Sequence, residues 1–544
     1  MYWLLTAAAL LLFAAALCAP LVPQRGERIR RLSTDTAFLA TAGLALVMMR
    51  WPTIFGPEPY IDEAQMIAQA ITAAHHPVPW RSFDGTTSGP LNTYALLLAQ
   101  LFGQGGSIVG ARLVALVLVA VTIGAVFVAV RAVFGPQIAR VASVPPLMLF
   151  GFGANQDFVW YASETLPVML LTVPLAITAR ATAGSPVRAG WVVVAGMCCG
   201  ATPFAKLQAA PLTVVVVATC VAVFAGRGRR ASGATVFLGA VLAVPAAIVA
   251  LVTAGGALRD MWISYIAQGA ASMNGASATL DTAFSYPEYR YYFIPAAAAL
   301  ALLAAAWMFF DQPEGTSDVA GDRLRRRSVL VAFALLLASA YAIEAPHRAY
   351  PHYFLFAIVP LSLLVPALAG ALRAKLSARP RIAVDAVLVG YALAIAVPLL
   401  IRGAGERGGA LADVRNAAQA PVDPVAQAIR AADPPGGRVA IWGYAPYLYV
   451  KSGTMMGTRD AIAQFQNLPG PYREYYRARF LGDLEHNEPA LFVDACAPGQ
   501  FDFKSRSEFG LETLPSMAAY VGKHYALVTE VKGVRIYRLR ARRT

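Results

Sequence analysis

Long apolar segments recur along most of the chain, and they constrain its fold more than any other feature. Residues 2–23, 108–131 and 232–254 are examples that reach the length needed to cross a bilayer, which is about 20 apolar residues. Only 14% of the 544 residues are charged, whereas a soluble protein has about a quarter. The sequence therefore predicts an α-helical polytopic membrane protein.

The loops between the apolar segments differ in charge, and this difference predicts the topology. We assign about twelve spans, namely 2–23, 35–52, 108–131, 141–155, 163–180, 189–205, 210–226, 232–254, 292–310, 328–345, 351–372 and 382–402. Basic residues follow the odd-numbered spans, as Arg25, Arg28, Arg30 and Arg31 follow the first. Because cytoplasmic loops are enriched in Lys and Arg, both termini are predicted on the periplasmic side of a bacterial cytoplasmic (inner) membrane. The same loops account for much of the net charge of +14, so nucleic acid is not a predicted partner.

Two polar regions are predicted outside the membrane. Residues 1–402 form the predicted transmembrane domain, which includes an external loop at 53–107. Residues 403–544 form a predicted periplasmic α/β domain, because helix and strand patterns replace the apolar spans there. The expected elements are interfacial helices at Ile61–Ala74 and Leu91–Phe102, a helix from Asp423-Pro424 to Ala432, buried strands at Val439–Trp442 and Ala490–Val493, and a strand pair formed by Tyr525–Val531 and Val534–Leu539.

Two adjacent carboxylates, Asp62 and Glu63, open the first of these interfacial helices, ten residues past the second span. One interpretation is structural, since acidic residues interact favourably with a helix N-terminus. The other is functional, because a carboxylate held at a membrane surface can take a proton from an incoming hydroxyl or amine.

Further ionisable residues fall at the ends of spans. Glu164 lies at the outer end of the fifth span, with Asp157 in the turn before it, and Lys206 separates the sixth span from the seventh. Glu164 or Ser163 could simply cap a helix, and Lys206 could simply mark a turn. Since ionisable groups at this depth are costly, Glu164 is a candidate second acid and Lys206 a candidate phosphate ligand.

The segment Pro346–Tyr353 places two histidines, one arginine and two tyrosines at the mouth of the eleventh span. Arg348 can hold a phosphate by paired hydrogen bonds, with His352 as a weaker ligand. Anchoring at the membrane interface is the alternative. All of these features map to one predicted membrane face, although they come from distant parts of the chain. Carboxylates for an acceptor and cations for a leaving phosphate suit transfer from a phosphate-bearing lipid donor.

In the order and spacing of its motifs, the chain resembles the GT-C superfamily of integral-membrane glycosyltransferases. It is most similar to the branch that contains protein O-mannosyltransferases and the lipid A aminoarabinose transferase. The resemblance covers residues 35–400 and rests on Asp62-Glu63, Gly89-Pro90-Leu91, Leu101-Phe102-Gly103, Gly110-Ala111-Arg112-Leu113, Glu164, Lys206, His352-Tyr353 and Pro360. Two departures are the additional first helix and a second acid that is Glu rather than the commoner Asp.

The resemblance implies an external active site and an inverting transfer of a sugar from a polyprenyl-phosphate donor to a glycan, lipid or protein acceptor. Asp62, Glu63 and Glu164 are then the predicted catalytic residues, with Asp62 as general base and Glu63 in a supporting or metal-binding role. Lys206, Arg348 and His352 are the predicted ligands of the donor phosphate. The resemblance leaves a divalent metal ion open, since some relatives use one and others do not.

Two other functions are compatible with a membrane protein of this kind. The first is a transporter or flippase of a lipid-linked sugar, which typically has paired broken spans and polar sites at the membrane midplane. The second is a non-catalytic assembly protein whose C-terminal domain binds cell-wall partners. The ionisable residues of this chain are predicted at one face of the membrane rather than at its midplane, and the chain has a soluble domain. Both features favour the transferase over the transporter.

Overall fold

A computed structural model describes residues 1–21, 33–56, 58–153, 155–226, 230–271, 285–309, 319–348, 350–417, 422–432 and 437–541. The arginines predicted in the first cytoplasmic loop, Arg25 to Arg31, lie outside the described residues. The chain divides into two compact units. The first comprises Met1–Ile54, Ala115–Pro245 and Asn274–Ala412, and the second comprises Phe55–Val114, Ala246–Met273 and Asp413–Thr544.

Long apolar helices make up most of the chain, which confirms the predicted polytopic membrane fold. Nine helices within the described ranges are long and apolar enough to cross a membrane. They are Asp35–Ile54, Ile108–Phe134, Thr165–Thr182, Leu207–Ala225, Gly233–Ala254, Pro287–Phe309, Ala320–Glu344, Pro351–Lys375 and Arg379–Asn416. Tyr2–Cys18 and Ala189–Ala205 are shorter apolar helices at two further predicted spans. The predicted fourth span corresponds to helix Pro136–Phe152, which has 17 residues and contains Arg140.

Helix Leu355–Lys375, together with the 3₁₀ turn before it, is the most buried of the nine candidate spans, with 89% of its most apolar stretch buried. Hydroxyl groups join it to its neighbours: Ser339 Oγ donates to the Phe356 carbonyl at 2.9 Å, and Tyr292 Oη lies 2.8 Å from Ser362 Oγ. Such bonds between helices are a common means of association in a membrane. The 3₁₀ turn Pro351–Phe354 precedes this helix directly, so His352 is carried by a well-packed element.

A mixed five-stranded sheet forms the centre of the second unit, as the C-terminal α/β prediction requires. Its strands are β1 (Arg438–Trp442), β2 (Met455–Met456), β3 (Leu491–Asp494), β4 (Tyr525–Val531) and β5 (Val534–Leu539), in the order β2-β1-β3-β5-β4. Strands β1, β2 and β3 are parallel, while β5 is antiparallel to both β3 and β4. Alternate residues of β1 enter separate apolar clusters on the two faces, because successive side chains of a strand point in opposite directions.

Helices surround this sheet, and some come from the first external loop. The helices of the second unit are Ile61–Ala73, Pro90–Leu96, Leu97–Phe102 (3₁₀), Leu258–Met261, Trp262–Ala267 (π), Gln268–Ala271, Pro424–Ala432, Tyr447–Ser452, Gln464–Asn467, Arg473–Asn487, Arg506–Phe509, Leu511–Thr513 (3₁₀) and Pro515–His524. Ala68, Ala73 and Phe83 pack in one apolar cluster with Val425 and Ile429. The external loop therefore folds with the C-terminal domain rather than with the membrane helices.

The domain boundary predicted between residues 402 and 403 lies inside a continuous helix, Ala378–Ala417. Residues 403–417 lack the apolar composition of a span, yet they continue the last membrane helix, although Pro398 and the Gly408-Gly409 pair are residues that usually interrupt a helix. The soluble fold begins at Asp423, whose carboxylate accepts hydrogen bonds from the backbone N–H groups of Val425 and Ala426. This cap begins helix Pro424–Ala432 as the sequence predicts.

Candidate active site

Lys206 and Glu164 form a buried ion pair in the first unit. The Lys206 ammonium group donates to a carboxylate oxygen of Glu164 and, at 2.6 Å, to the hydroxyl of Ser163. Glu164 is 0% exposed and Lys206 is 3% exposed. Burying such charges is costly unless they are paired and hydrogen-bonded, as they are here. Two residues that the sequence predicted for the site from different spans are therefore in contact.

Breaks between helices bring these two side chains together. Helix Ala189–Ala205 ends at Lys206, which has an extended backbone (φ −155°, ψ 120°) before the chain turns into the next span. Glu164 lies immediately before helix Thr165–Thr182, where its carboxylate is near the positive end of the helix dipole. Lys206 does more than mark the turn between two spans, because its side chain reaches a neighbouring helix terminus.

His352 adds a titratable ring to this pair. Its Nε2 lies 3.9 Å from Glu164 Oε1, and its Nδ1 lies 3.9 Å from Asp157 Oδ1. The neighbouring Tyr353 presents its ring to the Lys206 ammonium, 5.2 Å from the ring centroid. The ring attracts the cation through its quadrupole. The cluster of Asp157, Glu164, Lys206 and His352, together with Ser163 and Tyr353, is called the lysine cluster below.

Two buried arginines fix the turn that carries Asp157. Arg407 donates to the carbonyls of Gly151 and Gly153 at 2.8 and 3.2 Å, which are at the C-terminal end of helix Pro136–Phe152. A cation is favourable at this end of a helix because the last carbonyls lack partners within the helix. Arg50 donates to the carbonyl of Val159, two residues beyond Asp157. The sequence analysis assigned no role to either arginine, although each interrupts or extends an apolar segment.

A second buried ion pair, Glu63 with Arg112, lies in the second unit. Arg112 contacts both carboxylate oxygens of Glu63, with Nε–Oε1 and Nη2–Oε2 distances of 3.4 and 3.1 Å. It also donates to the carbonyls of Gly56 and Glu58, both at 2.8 Å. Both side chains are fully buried. Arg112 therefore holds the segment that leads into helix Ile61–Ala73.

Asp62 and Glu63 differ in exposure although they are adjacent. Glu63 points into the unit, whereas Asp62 is half-buried at the start of the same helix. Successive helical residues are about 100° apart around the axis, so only one of the two can face Arg112. Asp62 is therefore the more exposed of the two carboxylates, and Glu63 is the one that pairs with Arg112.

Arg348, predicted as a phosphate ligand, is exposed in the segment before the 3₁₀ turn of His352. The structure describes no contact between its side chain and Glu164, Lys206 or His352. The structure does bring together Glu164, Lys206 and His352, which all lie next to helix ends. Tyr353 and Ser163 also contact Lys206, although the sequence did not predict either of them as a site residue.

Metal binding was left open by the sequence. Within the described residues, no three side chains of His, Cys, Asp or Glu form a group that could hold a metal ion. Glu63, the residue considered for a metal, instead faces the Arg112 guanidinium, which disfavours a second cation beside it. These residues do not fit a metal site, and no step proposed below passes through a metal.

No protein-family model and no curated protein sequence matches the chain. Solved structures, in contrast, match the chain in fold. ArnT from Cupriavidus metallidurans bound to undecaprenyl phosphate superposes with a TM-score of 0.53 at 15% sequence identity, over 94% of this chain and 99% of that one. ArnT in the apo state gives a TM-score of 0.51 at 14% identity, over 93% and 98%.

Similarity at this identity concerns the fold, and it extends over both the membrane helices and the C-terminal sheet because nearly the whole of each chain is covered. The fold expected from the motif resemblance is thus confirmed. The chain has the fold of the ArnT structures.

Proposed function

We propose that the chain is a glycosyltransferase that moves a sugar from a polyprenyl-phosphate donor to an acceptor on the periplasmic side of a bacterial inner membrane. The observation that carries the proposal is the lysine cluster, in which a buried ammonium group is held at a helix end within a GT-C fold. The similarity to an ArnT structure with bound undecaprenyl phosphate supports a polyprenyl phosphate as the lipid.

Lys206 is proposed to bind the donor phosphate. An ammonium group has three N–H donors, and Ser163 and Glu164 accept two of them. The ammonium group can offer the remaining donor to a phosphate oxygen, and its charge stabilises the negative charge that develops as the sugar–phosphate bond breaks. Glu164 keeps the ammonium in place, His352 is proposed as an additional phosphate ligand, and Arg348 as a more exposed one.

Asp62 is proposed as the general base. In an inverting transfer the acceptor oxygen forms a bond to the anomeric carbon while the bond from that carbon to the phosphate oxygen breaks, and the phosphate leaves with the electron pair. The acceptor hydroxyl loses its proton to the Asp62 carboxylate in the same step. Glu63, held by Arg112, is proposed to keep Asp62 in position.

The test uses the purified full-length chain with a polyprenyl-phosphate sugar labelled in the sugar. A membrane-extract acceptor is added, and the release of free polyprenyl phosphate is measured with and without it. Release that depends on acceptor, together with label in a product of inverted anomeric configuration, is the expected result. Uptake of label into liposomes without release would instead indicate the transporter or flippase, and binding without either would indicate the assembly protein.

A further inference from the structure

The second unit contains a polar cavity that the proposed chemistry does not use. It has a volume of about 780 Å³ and lies among the loop that follows helix Ile61–Ala73, the start of helix Leu258–Met261, strands β1 and β2, and helix Arg473–Asn487. We call it the polar cleft. Ligand sites for small molecules typically have about 300–1,000 Å³, so the cleft has room for one or two sugar rings.

One wall of the cleft is the polar face of helix Arg473–Asn487. Arg479, Asp483 and Asn487 follow one another at intervals of four residues, and Gly482 and His486 lie beside them. Residues four apart share one face of a helix. The stripe therefore presents hydrogen-bonding groups along the whole length of the cleft.

Two of the cleft arginines are already neutralised. Arg459 pairs with Asp483 at 2.6 Å and with Asp260 at 2.8 Å. Arg479 pairs with Asp84 at 2.8 Å and also with Asp460. These networks fix the wall. The Asp483 carboxylate already accepts four hydrogen bonds from Arg459, whereas the Asp260 carboxylate retains lone pairs that can accept hydrogen bonds from sugar hydroxyls.

Arg438 is different, because its described side-chain partners are not carboxylates. It donates to Asn487 Oδ1 at 3.0 Å and lies 2.7 Å from His76 Nε2. Burial, the charge of Arg438 and the nearby His75 lower the pKa of His76, which favours the neutral ring beside the guanidinium. Among the described residues, neither Arg438 nor the exposed Arg81 on the same cleft is in an ion pair with a carboxylate.

We propose that the polar cleft binds a sugar that carries an anionic group, with the carboxylate or phosphate on Arg438 and Arg81 and the sugar hydroxyls on Asp260 and Asn487. The chemistry of the wall is complementary to both parts of such a ligand, because Arg438 and Arg81 line the same cleft as the Asp260 carboxylate and the Asn487 amide. The bound sugar is taken as part of the acceptor, and this role alone rests on the proposed function.

The binding test uses isothermal titration calorimetry with the full-length protein in detergent. The probes are D-glucuronic acid, D-glucose 6-phosphate and, as the neutral match, D-glucose. We expect saturable binding of at least one anionic sugar, at least about tenfold tighter than glucose, because charge-assisted hydrogen bonds are about twice as strong as neutral ones. Comparison of the two anionic sugars separates a carboxylate from a phosphate ligand.

Two variants and a control locate the binding. Arg438→Gln should weaken binding of the anionic sugar by about tenfold or more, and Arg81→Gln by a smaller factor, because exposed charges contribute less. Arg81 lies on a loop, so its variant tests the cleft even if Arg438→Gln is poorly folded. Arg430→Gln is the control, since Arg430 is exposed on helix Pro424–Ala432 and does not line the cleft.

Several results would overturn the proposal. They are equal affinity for glucose and the anionic sugars, no saturable binding of any probe, or an equal loss in the Arg430→Gln control. Displacement of the bound sugar by undecaprenyl phosphate in micelles would assign the cleft to a lipid phosphate instead. A failed transfer assay with intact sugar binding would reject the transferase alone, whereas transfer by wild type without sugar binding would reject the cleft alone.

Discussion

Two buried ion pairs, one in each compact unit, hold residues predicted for catalysis, and they differ in what their cations can still bind. The Arg112 guanidinium is fixed by both oxygens of Glu63 and by the carbonyls of Gly56 and Glu58. The Lys206 ammonium contacts one carboxylate and one hydroxyl, and the ring of Tyr353 lies beside it. The Arg112 guanidinium is thus surrounded by hydrogen-bond acceptors, whereas one side of the Lys206 ammonium meets an aromatic ring.

Burial and ion pairing alone therefore do not show whether a charged side chain binds a ligand. A guanidinium is a rigid fork whose donors are matched to fixed acceptors, while an ammonium is a compact charge on a flexible stem that can exchange partners. We therefore propose that the first pair is a positioning pair and that the second is a binding pair.

The largest effect is expected at the carboxylate that the rigid pair positions. Asp62→Asn should lower the turnover number by at least about 10²-fold, because base catalysis supplies about 10²–10⁴-fold. Donor binding and the melting temperature should be unchanged, as in the control Glu485→Gln, which alters an exposed carboxylate on helix Arg473–Asn487. Near-normal turnover of Asp62→Asn would move the role to Glu63 or Glu164.

A large stability effect is expected when the rigid pair is broken. Arg112→Met leaves Glu63 buried without its cation, and such a loss costs about 3–5 kcal/mol of unfolding free energy. The double variant Glu63→Leu with Arg112→Met should recover part of that loss, and not all, because the carbonyls of Gly56 and Glu58 still lose their donor. Chemical unfolding in detergent measures all three proteins. Full stability of Arg112→Met would contradict the positioning role.

The binding pair should lose donor affinity in addition to stability, because Glu164 is as deeply buried as Glu63. Lys206→Ala is expected to weaken donor binding by about ten- to a hundredfold, the equivalent of one charge-assisted hydrogen bond, and to lower turnover with it. Lys206→Arg should restore part of the affinity, since the charge returns but the geometry does not. Titration with a labelled polyprenyl-phosphate sugar measures the affinity. A large loss of stability with unchanged affinity in Lys206→Ala would make this pair structural as well.

The smallest effect is expected at Arg348, which is exposed. Exposed charges contribute about 0.2–1 kcal/mol to an ion pair, so Arg348→Ala should weaken donor binding by only about one- to fivefold. The same titration applies, and raising the salt concentration should reduce the difference further. Unchanged affinity in both Arg348→Ala and Lys206→Ala would remove both residues from the donor site.

Features set by local sequence were predictable. Asp423 caps its helix, and the hairpin β4–β5 turns at Lys532-Gly533, where both residues have positive φ values of 51° and 79°. The apolar length of the spans likewise predicted helices such as Ala189–Ala205 with both ends correct.

Features set by distant contacts were not predictable. Glu63 and Arg112 are 49 residues apart, and neither periodicity nor charge pattern indicates which arginine a buried glutamate will meet. The same limit applies to the position of the first external loop, which the sequence assigned to the membrane domain. The loop packs against Val425 and Ile429. Their apolar periodicity predicts that these two residues are buried, but it does not indicate which segment of the chain covers them.

The packing of Ala68, Ala73 and Phe83 with Val425 and Ile429 also fixes an order of events during synthesis. Helix Ile61–Ala73 leaves the ribosome well before the strands and helices that complete its core. At roughly 5–20 residues per second, the delay between Ala73 and Val425 is about 20–70 s. During that interval the apolar face of the helix lacks its final partner. A chain that terminates before Val425 therefore cannot complete the apolar core around Ala68, Ala73 and Phe83.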